Sequence, residues 1–129
     1  MTVVPDGLTP TSTALQRVCL IRHGETAWSL SGQHTGRTDL PLTEHGRLES
    51  RTLGTELRGV TFTRVFTSPL LRARQTCELI GLDANMEIEP DLTEWDYGDY
   101  EGALLVDICR NRPNWNLFRD GCPNGETPT

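Results

Sequence analysis

Val18, Cys19, Leu20 and Ile21 are four consecutive apolar residues set between arginines at 17 and 22. A run with no polar alternation has no solvent-facing side. It therefore predicts a strand covered on both faces, as in a parallel sheet with helices packed against it. The run stops at Arg22-His23-Gly24, which places the histidine at the strand's carboxyl end. From these residues alone His23 has three readings: a catalytic nucleophile, a metal ligand, or a polar group closing a strand.

The rest of the chain repeats the alternation. Residues 29–42 are rich in Gly, Ser, Thr and Asp and predict a long loop. Thr43 is placed to cap a helix running to about Arg58, with Leu48, Leu53 and Leu57 on one face and Gly59 beyond it. Residues 64–67 predict a second strand, and Ser68-Pro69 a sharp helix start. Ala73, Thr76, Cys77 and Ile80 form that helix's inward stripe, and Gly81 ends it. Residues 86–89 predict a third strand, 90–102 an acidic and aromatic loop, and 104–110 a short helix, with Trp115 and Phe118 as core. This order predicts the α/β class, a three-layer α/β/α architecture with a mostly parallel sheet. Ligands of such sheets collect beyond the carboxyl ends of the strands, so Arg22-His23-Gly24 and residues 68–72 are expected to share a crevice.

The chain has 129 residues, enough for one domain with a modest core. Residues 1–16, rich in Pro, Gly and Thr, read as a flexible N-terminal tail, and 17–129 as the folded portion. Twelve basic against eighteen acidic residues give a net charge of −6. That balance argues against nucleic-acid and anionic-membrane partners, which need a basic face. No window is apolar enough to span a bilayer, and the N-terminal stretch lacks an export signal, so a cytoplasmic location is expected. Cys19, Cys77, Cys109 and Cys122 are too irregularly spaced for a zinc site or a dense disulfide framework, and are expected to be reduced thiols. Oligomeric state is not assigned by the sequence.

A phosphoryl group in the predicted crevice would find what its transfer needs. Charge spread over the equatorial oxygens calls for fixed cations, which Arg22 and Arg72 can supply as planar forks. A neutral imidazole at His23 can attack phosphorus and hold it covalently, and like charges nearby favour its neutral form.

R-H-G-E-T at 22–26, T-G at 35–36, D-L-P-L-T-E-H-G at 39–46, S-P-L-L-R-A-R-Q-T at 68–76 and L-T-E-W-D-Y-G-D-Y-E-G at 92–102 together resemble the histidine phosphatase superfamily, the phosphoglycerate mutase-like group. The resemblance implies that His23 is phosphorylated and that Arg22 and Arg72 form the phosphate pocket. It also implies that Glu94 protonates the leaving oxygen and later activates water. Ser29, Thr35 and Gly36 match positions lining the substrate side. No metal and no organic cofactor is implied, and the partner implied is a small phosphorylated metabolite.

Departures from the family pattern refine that expectation. Mutase-type members carry an asparagine where Ser29 stands, a lysine where Leu105 aligns, and adjacent arginines in the region of 115–121. W-D-Y-G-D-Y-E-G and D-G-C-P-N-G-E instead resemble the sugar-phosphate phosphatase branch that includes sedoheptulose-1,7-bisphosphatase-like proteins. A phosphatase acting on a sugar phosphate is therefore expected, with a 2,3-bisphosphoglycerate-dependent phosphoglycerate mutase as its rival. Family members also continue past Gly125-Glu126 to a strand ending in a second pocket histidine. His34, in a loop, and His45, near a helix start, do not match it. The chain is thus expected to be the N-terminal portion of a larger domain, incomplete at its C-terminus, with an inactive fragment or a phosphate-binding module as the third reading.

Overall fold

The computed structural model describes the backbone of 2–5 and residues 16–128. Its sheet has four strands: β1 (Thr2–Pro5), β2 (Cys19–Leu20), β3 (Phe62–Thr67) and β4 (Met86–Ile88), in the order β2-β1-β3-β4. β1 pairs antiparallel with both β2 and β3, and β3 pairs parallel with β4. Three strands thus run one way, and β1 alone runs against them between β2 and β3. The α/β class and the mostly parallel sheet hold.

The start of the chain differs from the expected tail over 1–16, because residues 2–5 form a strand inside the sheet. Two valines in a row suit a pleated strand, while the Pro and Thr content around them dominated the sequence reading. Residues 6–15 of the expected tail lie outside the described residues.

The run at 18–21 is also less buried than its pattern predicts. Ile21 is buried, but Val18 is 61% and Leu20 77% exposed. β2 is an edge strand two residues long, so an uninterrupted apolar run here does not mean cover on both faces.

Helices α2 (Glu44–Glu56) and α3 (Leu71–Ile80) pack against each other and close the core over the sheet. Ile21, Val65, Cys77 and Ile80 form its buried centre, with Leu53 and Leu57 of α2 and its last turn packed against them. Leu48 is exposed, and the buried residues of α2 are Gly46 and Ser50, which lets the helix approach the site closely. Thr43 caps α2 as expected, accepting the Gly46 N–H at 3.1 Å.

α3 begins at Leu71 rather than at Pro69, because Ser68 Oγ accepts the Leu70 N–H at 3.3 Å in a turn of its own. Asp39 then takes the free N–H of Leu71 at 2.7 Å, capping the helix from a distant loop. That loop, expected over 29–42, starts later than expected. Ala27–Ser31 is helix α1, closed by a capping box between Thr26 and Ser29.

Single 3-10 turns at Pro90–Leu92 and Gly98–Tyr100 shape the acidic segment, and α4 (Leu105–Asn111) and α5 (Leu117–Asp120) follow it. Ile108, Trp115 and Cys122 make a second apolar cluster, with Trp95, Tyr97 and Tyr100 against it. Trp115 is core as expected. Phe118, expected as core, is instead 76% exposed, with a T-shaped ring contact to Trp95 at 6.2 Å.

Candidate active site

His23 lies three residues past the end of β2, just beyond Arg22 and the buried Ile21, and Gly24 carries the chain toward the start of α2. The approach is so close that a Cβ on Gly24 would lie 2.5 Å from the Gly46 carbonyl oxygen, and one on Gly46 2.3 Å from that of Glu25. Only glycine fits either position. Glu25 locks the contact by accepting the Thr43 backbone N–H at 2.9 Å and the Thr43 hydroxyl at 2.6 Å. R-H-G-E and T-E-H-G are thus two halves of one joint.

The joint fixes the imidazole. His23 Nδ1 lies 2.8 Å from the Gly24 carbonyl oxygen, which can only accept, so Nδ1 carries the proton and the neutral ring has its lone pair on Nε2. Burial holds the His23 pKa below its ordinary value, and the charges of Arg72 and Arg22 lower it further. The Gly24 hydrogen bond and Glu94 act in the opposite direction. The net effect favours the neutral, nucleophilic form.

Two clefts meet at Arg22, His23 and Glu94, which line both. One, of about 150 Å³, continues to Ser68, Leu70 and Arg72. The other, of about 240 Å³, continues to Ser29, Gln33, His34, Thr35 and Tyr97. Arg22 and Glu94 are exposed at the rim, and Glu94 accepts the N–H of Trp95 at 2.9 Å.

Arg72 is 2% exposed. Its Nη1 donates to the Thr38 carbonyl at 3.0 Å, and its Nη2 to those of Gly36 at 2.9 Å and Thr35 at 3.4 Å. Of the five N–H groups of a guanidinium, these contacts leave at least two without a partner among the described residues. The same side chain therefore anchors a loop and also lines the narrower cleft. Glu101 holds the loop from the other side, its Oε1 accepting the N–H groups of Gly36 at 2.9 Å and Thr38 at 3.0 Å.

Gly36, expected on the substrate side, is not among the residues lining either cleft. Its N–H is taken by Glu101 and its carbonyl by Arg72, and a Cβ there would lie 2.1 Å from the Trp95 carbonyl oxygen. It is a packing glycine behind the wall. Ser29 and Thr35 do line the wider cleft, although Ser29 also serves the capping box of α1.

The profile of the histidine phosphatase superfamily, branch 1, matches residues 18–129. The chain belongs to that superfamily. It is 42% identical over 134 residues to sedoheptulose 1,7-bisphosphatase of Saccharomyces cerevisiae, covering 86% of this chain and 49% of the yeast protein. Over 113 residues it is 42% identical to an acid phosphatase of Mycobacterium tuberculosis, covering 86% of this chain and 55% of that one. Among solved structures, an open reading frame product of Mycobacterium tuberculosis superposes with a TM-score of 0.72 at 40% identity, over 81% of this chain and 55% of its own. The chain thus spans about half the length of the curated relatives it matches.

Within this histidine phosphatase chain, sequence reasoning missed three contributors to the site: Glu101, Thr76 and His34. Glu101 lies in the Y-E-G stretch, but nothing local tells a loop clamp from a solvated carboxylate. Thr76 receives the Gly24 N–H at 3.0 Å, a bond across 52 positions. His34 enters the wider cleft through folding of two distant loops, beside Tyr97, while Ser68 lines the narrower one within the stretch 68–72 expected there. Among the described residues no group of His, Cys, Asp and Glu is placed to hold a metal ion, and no helix is long and apolar enough to cross a membrane.

Proposed function

We propose that the chain carries the catalytic half-site of a phosphomonoesterase that acts through a phosphorylated His23. The observation that carries this reading is the His23 ring. Its Nδ1–H is held by the Gly24 carbonyl, which leaves the lone pair on Nε2, and the residue lines both clefts with Arg22 and Glu94, the narrower one also with Arg72.

The phosphoryl group sits in the narrower cleft, against the arginines. The Nε2 lone pair attacks phosphorus, the ester P–O bond breaks, and Glu94 as a carboxylic acid gives its proton to the leaving oxygen. Glu94, now a carboxylate, takes a proton from water, whose oxygen attacks phosphorus. The P–N bond breaks, and inorganic phosphate leaves with His23 neutral again. The arginines stabilise the charge on the transferring group throughout.

The substrate is a small phosphorylated metabolite, and a sugar phosphate is the finer reading. The likeness to a sugar bisphosphatase and to an acid phosphatase supports it, as does a second cleft of about 240 Å³, below the size typical of drug-sized ligands. A cytoplasmic site of action is part of the same proposal.

Rapid acid quench with a 32P-labelled ester tests it. Label is expected on the wild-type protein, absent from His23→Ala, and released as inorganic phosphate on chase. Label and turnover that survive His23→Ala would refute the mechanism, and isomerised ester in place of free phosphate would indicate the mutase.

A further inference from the structure

The wider cleft has an unusual hydrogen-bond polarity. Ser29 Oγ donates its proton to the Thr26 carbonyl at 3.0 Å and accepts the Thr26 N–H at 2.8 Å, which leaves it one lone pair. Thr35 Oγ1 donates to the Gln33 carbonyl at 3.2 Å, which leaves it two. His34 Nδ1 lies 2.8 Å from the Ala103 carbonyl oxygen, so the neutral ring turns a bare Nε2 away from it. Edge contacts to Tyr97, with ring centroids 5.0 Å apart, and to Trp115, at 5.8 Å, hold the His34 ring in that orientation. Gln33 is fastened at both ends of its amide, to Gly102 and Ser31. Away from the Arg22 guanidinium, which also lines this cleft, side-chain proton donors are scarce: the Tyr97 hydroxyl and one N–H of Gln33 are those left over.

We propose that Ser29, His34 and Thr35 form an acceptor wall that reads hydroxyl groups, with His34 as a specificity-determining residue that selects phosphate esters of polyols over esters bearing a carboxylate. The inference rests on the phosphatase reading above and names the substrate class for it. A substrate hydroxyl has a proton to give each of these acceptors. A carboxylate has none, and would bury its lone pairs against theirs. Arg22 at the rim pulls a carboxylate the other way, so the preference depends on the wall.

Glycerol 3-phosphate and 3-phosphoglycerate are a matched pair, differing only in a hydroxymethyl group against a carboxylate. Calorimetric Kd values for both are measured on the whole chain in the same buffer. Wild type is expected to bind glycerol 3-phosphate about tenfold tighter, the effect of one to two hydrogen bonds. His34→Phe keeps the ring contacts but removes the acceptor, and brings the ratio of the two Kd values close to one. Thr35→Val moves it in the same direction by a smaller factor.

A ratio near or below one in wild type overturns the proposal, as does binding of neither ester. So does a His34→Phe variant that weakens both alike, since loss of packing alone would do that. Turnover of p-nitrophenyl phosphate is scored separately. Selective binding without turnover keeps this inference and removes the phosphatase reading, and turnover without selectivity does the reverse.

Discussion

The hydroxyl of Thr76 receives the N–H of Gly24 at 3.0 Å and donates its own proton to the Arg72 carbonyl at 2.8 Å. One buried side chain therefore couples the histidine loop to the helix that carries the buried arginine. Thr76→Val keeps the shape and leaves the Gly24 N–H without its acceptor, at an expected cost of roughly 1–3 kcal/mol. Urea denaturation should show the midpoint fall at unchanged m-value, with kcat lowered because His23 is adjacent. An unchanged midpoint would mean that water replaces the hydroxyl.

Glu101 and Arg72 grip the loop 35–38 from opposite sides, so removing one should free it. Glu101→Ala deprives two backbone N–H groups of their acceptor and leaves Arg72 as the remaining clamp. Hydrogen exchange at Gly36 and Thr38 is expected to speed up by about tenfold or more, while exchange in the middle of α3 stays as in wild type. Equal acceleration in both would indicate global destabilisation instead.

The His23 imidazole, held below its ordinary 6.5 by burial, predicts a pH profile with a defined sign. Only the neutral ring is a nucleophile, so kcat/KM should fall as pH drops through the lowered value, with the acid limb below 6.5. Arg72→Met removes a like charge and should move that limb upward. Stability follows the same sign. Between the folded value and about 6.5 the unfolded chain binds more protons, so stability is greatest above 6.5 and declines as pH falls through the folded value. A limb at or above 6.5 in wild type would contradict the placement of the ring.

Gly46 meets the backbone of Glu25, and an added methyl there faces main-chain atoms that have little room to yield. Gly46→Ala should cost at least about 1–3 kcal/mol, the usual range for overpacking, despite alanine being the better helix former. A thermal melt of Gly54→Ser is not a fair control, because Gly54 also packs closely, on Ile80. Arg51→Ala, at an exposed α2 position, is. A Gly46→Ala protein as stable as Arg51→Ala would refute the close joint.

Element types were largely readable in the sequence because they rest on local signals: the Thr43 cap, the Gly81 stop and the inward stripe of α3. Errors gathered where a neighbour distant in sequence decides. Asp39 caps α3 from a loop, so its first residue cannot be found by inspecting Ser68-Pro69. The exposure of Leu20 follows from which strand becomes an edge, and a run of apolar residues carries no mark of that. Gly36 looked like a ligand contact because the motif around it is shared, but its two backbone groups are consumed by Glu101 and Arg72.

The sequence by itself determined the chemistry that is available. A histidine at a strand end, two arginines and a carboxylate are residue types in an order, and the family follows from the motifs they sit in. Only the tertiary structure decided the directions in which these groups act. Whether Nε2 or Nδ1 of His23 holds the lone pair depends on a carbonyl placed by the Gly24–Gly46 joint. Whether His34 offers an acceptor to the cleft depends on Ala103, 69 positions away. Hydrogen bonds are directional and short-ranged, so proton positions are fixed by partners that meet only when the chain is folded.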